Sequence, residues 1–267
     1  MSIRLDGETR LYAVIGDPIA QVKSPSLLTL RFAARGINGI VIPVHVAPAD
    51  IPAWMAGAAI VRNLDGVIAT VPHKTVMLPY CSEITDRARY AGSANVLWRK
   101  GESWHGDNTD GMGYIDGILA EGGEITNRRM LLVGAGGAGS AIAYEALARG
   151  ASHLAIHDVD RARRDRLLQV LGELFPGKVS AGSNDPSGFD VIGNATPLGM
   201  RAGDPLPVEA KRLNSSQFVA DVVTRPEISP LIEYARSVGC KTMPGLGMFQ
   251  AQQELLVDAL LGADQRK

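Results

Sequence analysis

The chain has 267 residues, 46% hydrophobic and 21% charged, and its 27 basic and 28 acidic residues leave a net charge of −1. That balance describes a globular protein with an ample core, and it excludes a nucleic-acid footprint or a basic membrane-surface patch, so neither nucleic acid nor membrane is expected as a partner. Cys81 and Cys240 stand alone, without metal or redox spacing, and the N-terminus is polar; no metal and a cytoplasmic location are expected.

In chain order, the apolar run Leu11-Tyr-Ala-Val-Ile15 stops at Gly16-Asp-Pro18 and reads as a buried strand entering a loop. Ser24-Pro25 predicts a helix start capped by Ser24, ending near Gly36. A strand over 40–46, a helix over 48–60 and a strand over 64–71 follow, so strands alternate with helices as in a parallel, layered α/β domain. Residues 75–91 read as helix interrupted near Pro79. Lys100-Gly101 between two apolar runs signals a hairpin. Gly106-Asp-Asn-Thr-Asp-Gly111 has no apolar side chain, which is unusual for a core segment. A helix over 112–119 is expected to lead to a second domain, with Gly122-Gly123 at the boundary.

Met130-Leu-Leu-Val133 predicts a strand, and Gly134, Gly136 and Gly139 then form G-x-G-x-x-G ahead of an apolar helical run. Strand, glycine turn and helix in that order open a dinucleotide-binding βαβ unit, with Gly134, Ala135, Gly136, Gly137, Ala138 and Gly139 as the candidate cofactor turn. Asp158 closes the next apolar segment at about the 20-residue spacing expected of a ribose-binding acid. Further strands are expected at 189–194 and 218–221, helices at 160–174 and 230–238, and a final helix over 248–261.

Several blocks together resemble the shikimate/quinate dehydrogenase family. They are Tyr12-Ala-Val-Ile-Gly-Asp-Pro-Ile-Ala-Gln-Val-Lys-Ser-Pro25, Thr70-Val-Pro-His-Lys74, Asn95, Gly106-Asp-Asn-Thr-Asp-Gly111, Asn194-Ala-Thr-Pro-Leu-Gly-Met200 and Gly245-Leu-Gly-Met-Phe-Gln-Ala-Gln252. The resemblance implies an N-terminal α/β substrate domain (1–112, with 246–267 packing back) and a C-terminal Rossmann domain (113–245), with a cleft between them. It implies reversible, nicotinamide-dependent oxidation of a ring hydroxyl in a small-molecule ring carboxylic acid; the sequence leaves open whether the protein is a monomer or a homodimer. Lys74 and Asp110 are the catalytic pair by that resemblance, while Ser24, Thr70, Asn95 and Gln252 bind substrate. Asn194, Thr196 and Gly245 join the glycine turn at the cofactor. Taken singly, a lysine after a proline is usually solvated, and Asp110 suits a helix N-cap.

Three positions depart from the family pattern. Val22 replaces the first of two hydroxyls that receive the substrate carboxylate, Thr224 replaces a tyrosine, and Ile68 replaces an asparagine. Arg225 or a water is one compensation; a modified or amino analogue of shikimate is the other reading, and a catalytically poor binding paralogue is a third. His73 is expected to be an uncharged structural histidine. At the cofactor, Asp158-Val-Asp160 stands where NADP-using relatives carry Asn-Arg-Thr. A carboxylate accepts hydrogen bonds from the NAD ribose and repels a 2′-phosphate, so NAD is expected, with NADP possible through Arg161, Arg163 or Arg164.

Overall fold

The computed structural model describes residues 5–20 and 22–262. The chain divides into two compact units, residues 1–109 with 253–267, and residues 110–252. Both are α/β, as the alternation of apolar runs and helical segments predicts.

In the first unit, β1 (Arg10–Gly16) pairs in parallel with β2 (Gly39–His45) and β3 (Leu64–Ala69). The predicted hairpin is β5 (Val96–Lys100) and β6 (Ser103–Asp107), antiparallel to each other, with β5 also antiparallel to β3. Gly101 takes φ +64 at its turn, a backbone position that costs a side-chain-bearing residue. The short β4 (Glu83–Ile84) completes a six-stranded sheet of order β2-β1-β3-β5-β6-β4.

Helices cover the sheet. One core cluster packs α2 (Ile51–Ile60), through Ile51, Met55 and Ala58, on Ala13, Ile15, Val67 and Leu97. Another packs α1 (Ser24–Ala34), through Leu28 and Phe32, on Tyr12, Val14 and Ile68. Leu256, Val257, Ala259 and Leu260 of the last helix, α8 (Gly245–Leu260), join this second cluster.

The second unit is a six-stranded, wholly parallel sheet. Its strands are β7 (Arg129–Val133), β8 (His153–His157), β9 (Val179–Ala181), β10 (Val191–Asn194), β11 (Phe218–Asp221) and β12 (Lys241–Met243). Their spatial order, β12-β11-β10-β7-β8-β9, is the doubly wound Rossmann order, with the chain switching direction between β7 and β10. The helices α4 (Asp110–Ala120), α5 (Gly137–Ala148), α6 (Arg161–Leu174) and α7 (Pro230–Ser237) bury its apolar faces. Within β10, Gly193 is required by close approach. A Cβ there would lie 2.8 Å from Met130 Cε and 2.9 Å from Tyr114 Oη.

Local expectations differ in three places. Residues 75–91 are not one broken helix but two 3₁₀ turns, β4, and a short α3 (Asp86–Ala91). Pro79 denies the helix a backbone donor, and Thr85 restarts it by accepting a bond from the Ala88 N–H at 3.2 Å. Ser24 does not cap α1; Lys23 occupies the cap position without a side-chain bond, and Ser24 lies buried in the first turn. The strands β4, β9 and β12, each two or three residues long, carry too little periodicity to be read from sequence. Among the described residues no helix is long and apolar enough to cross a membrane.

Candidate active site and dinucleotide turn

The polar run 106–111 lies inside the protein, contrary to its composition. Asp107, Asn108, Thr109 and Asp110 are all nearly inaccessible, and burial of such groups is tolerated only because each is partnered. Asp107 Oδ1 accepts from the Asn108 N–H at 2.7 Å and from the Thr85 hydroxyl, while Oδ2 accepts from Arg87 Nη2 at 2.7 Å. Asn108 Nδ2 donates to the Ser93 carbonyl at 3.2 Å and to Ser93 Oγ at 2.9 Å. The Thr109 N–H donates to Asn95 Oδ1 at 2.9 Å, and Asn95 Nδ2 donates to Thr109 Oγ1 at 3.0 Å. Three consecutive side chains therefore anchor the loop, and the chain enters α4 at Asp110. There Gln252 Nε2 donates to Asp110 Oδ1 at 3.0 Å, within the second unit.

Lys74 sits half-buried in the 3₁₀ turn His73–Val76, its carbonyl accepting from the Ala94 N–H at 2.9 Å. That bond ties the lysine's turn to the segment carrying Asn95. His73 is fully buried, and its Nε2 donates to the Val46 carbonyl at 2.8 Å. The bond places a proton on Nε2, and the buried ring packs within the first unit. Thr70 precedes this turn, half-buried, with its N–H donating to Ile15 O at 2.9 Å. Val22 is half-buried against the cluster of Tyr12, Leu28 and Phe32, and Ile68 belongs to that same cluster. Thr224 and Arg225 are exposed in the loop after β11. Gly245 opens α8, where a Cβ would lie 2.4 Å from Val223 O.

At the sheet's switch point the three turn glycines have distinct reasons. Gly134 takes φ +106, and a Cβ there would lie 2.8 Å from Ala195 O on the loop after β10. A Cβ on Gly139 would fall 2.0 Å from Gly134 O, so helix and strand touch through it. Gly136 is different. Its backbone (φ −74, ψ −172) suits any residue, and a Cβ there would meet no atom within 4 Å. The protein leaves that space open at the start of α5, the end of the helix that favours anions. Ala135, Gly137 and Ala138 complete the turn. A pyrophosphate fits such a cradle.

Asp158 is buried at the end of β8. Its Oδ2 accepts from the Ala135 N–H at 2.7 Å and its Oδ1 from the Asp160 N–H at 2.8 Å. The carboxylate thus braces the glycine turn, a duty that strand-end spacing does not reveal. Asp160 caps α6 by accepting from the Arg163 N–H at 3.0 Å, and this bond, aided by the nearby Arg163 guanidinium, holds its carboxyl below the usual range. Val159 between them is 94% exposed, so nothing in the protein claims its position.

Asn194 and Thr196 belong to a buried network centred on Asp221, which sequence reasoning missed. Asn194 Nδ2 donates to Asp221 Oδ1 at 2.9 Å, and Thr196 Oγ1 donates to Asn194 Oδ1 at 2.7 Å. The Val223 N–H and Ser229 hydroxyl also donate to Asp221, at 2.9 and 2.5 Å. Burial nevertheless pushes the Asp221 carboxyl up, with these bonds opposing the shift. Burial likewise raises the Tyr114 phenol, and the Asp221 charge adds to that shift. The sequence signal for this network is a lone acid ending an apolar strand, Phe218-Val-Ala-Asp221.

The family model for the shikimate dehydrogenase substrate binding domain matches residues 14–97. Over 250 residues the chain is 36% identical to shikimate dehydrogenase (NADP(+)) of Rubrobacter xylanophilus, covering 91% of this chain and 87% of that protein. The chain belongs to the shikimate dehydrogenase family. Membership makes it an NAD(P)-dependent oxidoreductase acting on a CH–OH group. Among solved structures, shikimate 5-dehydrogenase from Listeria monocytogenes in complex with shikimate and NAD superimposes with a TM-score of 0.88 at 25% identity, covering 98% of this chain and 95% of that one. The 5-ketofructose reductase of Gluconobacter sp. strain CHM43 does so with a TM-score of 0.84 at 27% identity, covering 95% and 93%.

Proposed function

We propose that the chain catalyses reversible oxidation of a ring hydroxyl of shikimate, giving 3-dehydroshikimate, or of quinate, with NAD preferred to NADP. The observation that carries this reading is the use of the loop 106–110. Its first three polar side chains are consumed in anchoring, whereas Asp110 is presented on the first turn of α4 with Gln252 donating to it. Such a held carboxylate suits a proton-handling role.

Oxidising an alcohol requires a partner for the hydroxyl proton, and the reverse direction requires a donor to the developing alkoxide. Lys74 and Asp110 are the residues proposed for that role, as the family resemblance implies. Bound nicotinamide supplies the hydride acceptor, and the cradle at Gly136 and the start of α5 holds its pyrophosphate. Ser24, Thr70, Asn95 and Gln252 orient the ring acid. Asn95 is itself fixed by its bonds to Thr109, which set the orientation of its amide. The NAD preference rests on Asp158 and Asp160, whose negative charges would oppose a 2′-phosphate. The Rubrobacter relative is named for NADP(+) and the Listeria structure contains NAD, so the family spans both.

Crossing NAD⁺ and NADP⁺ with shikimate and quinate in a steady-state assay tests the reading. Tight nucleotide binding without turnover of either acid would overturn it. Lys74→Ala should lower kcat by about a hundredfold or more with nucleotide affinity retained; near-normal kcat would overturn the catalytic assignment.

Val22 favours a second reading. Its side chain packs on an apolar cluster and offers no hydrogen bond, which suits a modified or amino analogue of shikimate. Val22→Ser should tighten shikimate binding by roughly ten- to a hundredfold, the worth of one hydrogen bond to a charged group. No gain would favour the analogue.

A further inference from the structure

We propose that Asp160 sets the choice between NAD and NADP by masking Arg163, a latent clamp for a 2′-phosphate. The proposal rests on the dinucleotide reading of the glycine turn. The acid that spacing alone selects, Asp158, is buried, and its two oxygens already accept from the Ala135 N–H and the Asp160 N–H. Asp160 is half-exposed at the same strand end, and one of its oxygens caps α6. Its other oxygen lies 3.4 Å from Arg163 Nη2, while Arg163 Nη1 lies 3.7 Å from Asp158 Oδ2. The guanidinium is thus held between two carboxylates beside the position where Val159 offers only an exposed isopropyl group.

Neighbouring arginines do not match this placement. Arg164 is paired with Asp165 at 2.8 Å, and Arg166 acts on Asp160 only through its charge. Arg161 is exposed on the first turn of α6. In the wild-type protein the cluster of Asp158, Asp160 and Arg163 carries one net negative charge, which opposes a phosphate dianion. Removing the Asp160 charge brings the cluster to neutrality and frees a planar, five-donor group suited to phosphate oxygens. A serine in its place keeps a good N-cap, so the helix start survives the change.

The test uses calorimetric binding of 2′,5′-ADP and 5′-AMP to the full chain, and reads the ratio of the two affinities. Asp160→Ser should shift that ratio toward 2′,5′-ADP by about tenfold, one charge-assisted contact's worth. Asp160→Asn, which also caps well, repeats the measurement should the serine variant fold poorly. Arg163→Ala on top of Asp160→Ser should remove the gain, and Arg161→Ala on top of it should not. An unchanged ratio in both Asp160 variants, a gain that survives Arg163→Ala, or a gain lost with Arg161→Ala would each overturn the proposal. Failure of the wild-type protein to bind either nucleotide would instead remove the dinucleotide reading beneath it.

Discussion

Two of the turn glycines should respond in opposite ways to the same added methyl group. At Gly139 a Cβ would fall 2.0 Å from Gly134 O and 2.8 Å from Gly134 C. Both atoms are backbone, at the end of a strand bonded on either side, so no side chain can swing away. The cost should reach the top of the overpacking range, about 3 kcal/mol or more, and lower Tm by roughly 6–12 °C. At Gly136 the backbone is extended and the Cβ meets no atom within 4 Å. Alanine there is a poorer N-cap than glycine by about 0.5–1 kcal/mol, and the less flexible unfolded chain returns about 0.4–1 kcal/mol. These nearly cancel, so Gly136→Ala should fold with wild-type stability. Its methyl would nevertheless enter the phosphate cradle, and NAD⁺ affinity should fall by at least about tenfold. Urea denaturation and calorimetric NAD⁺ titration of both variants provide the assay. Wild-type NAD⁺ affinity in Gly136→Ala, or a loss of stability equal to that of Gly139→Ala, would refute the division of roles.

The bracing carboxylate can be tested in the same way. Asp158→Ala strips a charged acceptor from the Ala135 and Asp160 N–H groups. With bonds to charged groups worth about 1.5–3 kcal/mol each, and water able to reach the half-exposed Asp160, a loss of about 2–4 kcal/mol is expected in denaturant melts. Affinity for NAD⁺ should fall with it; wild-type stability in Asp158→Ala would contradict the brace. The Asp221 network predicts a pH dependence. Burial raises the native carboxyl above its unfolded value near ~3.9. Between the two values the native state keeps a proton that the unfolded chain has released, so this group's contribution to stability falls as pH rises through the window and levels off above it. Asp221→Asn should remove that slope, and its unfolding free energy relative to wild type should improve across the window. A difference independent of pH would count against the raised carboxyl.

Elements long enough to show a period were legible in the sequence. The parallel strands β7, β8 and β10 appear as runs of apolar residues because both faces of their sheet are covered by helices, and Lys100-Gly101 marks the hairpin because glycine alone takes φ +64 there cheaply. The edge strands β4, β9 and β12 were not legible, since two or three residues make no pattern and their pairing is dictated by neighbours already in the sheet. Ser24 misled because Ser-Pro is a good cap signal, yet α1 starts one residue early and buries the hydroxyl.

The candidate site was harder to read for a different reason. A motif records which residue types recur together, and it does not separate those that shape the loop from those left for a ligand. Gly106-Asp-Asn-Thr-Asp-Gly111 looked like a solvent-facing polar loop because apolar residues are absent. Its side chains instead bond inward, to Arg87, Ser93 and Asn95, and so act as the loop's core. The same division runs through the dinucleotide turn, where Gly134, Gly139 and Asp158 are spent on the protein itself while Gly136 and Val159 face nothing. Positions that the fold does not use are the ones a ligand can read. By that criterion the proposed selectivity rests on the half-exposed Asp160 and the arginine it holds, beside the buried acid that the strand-end spacing singles out.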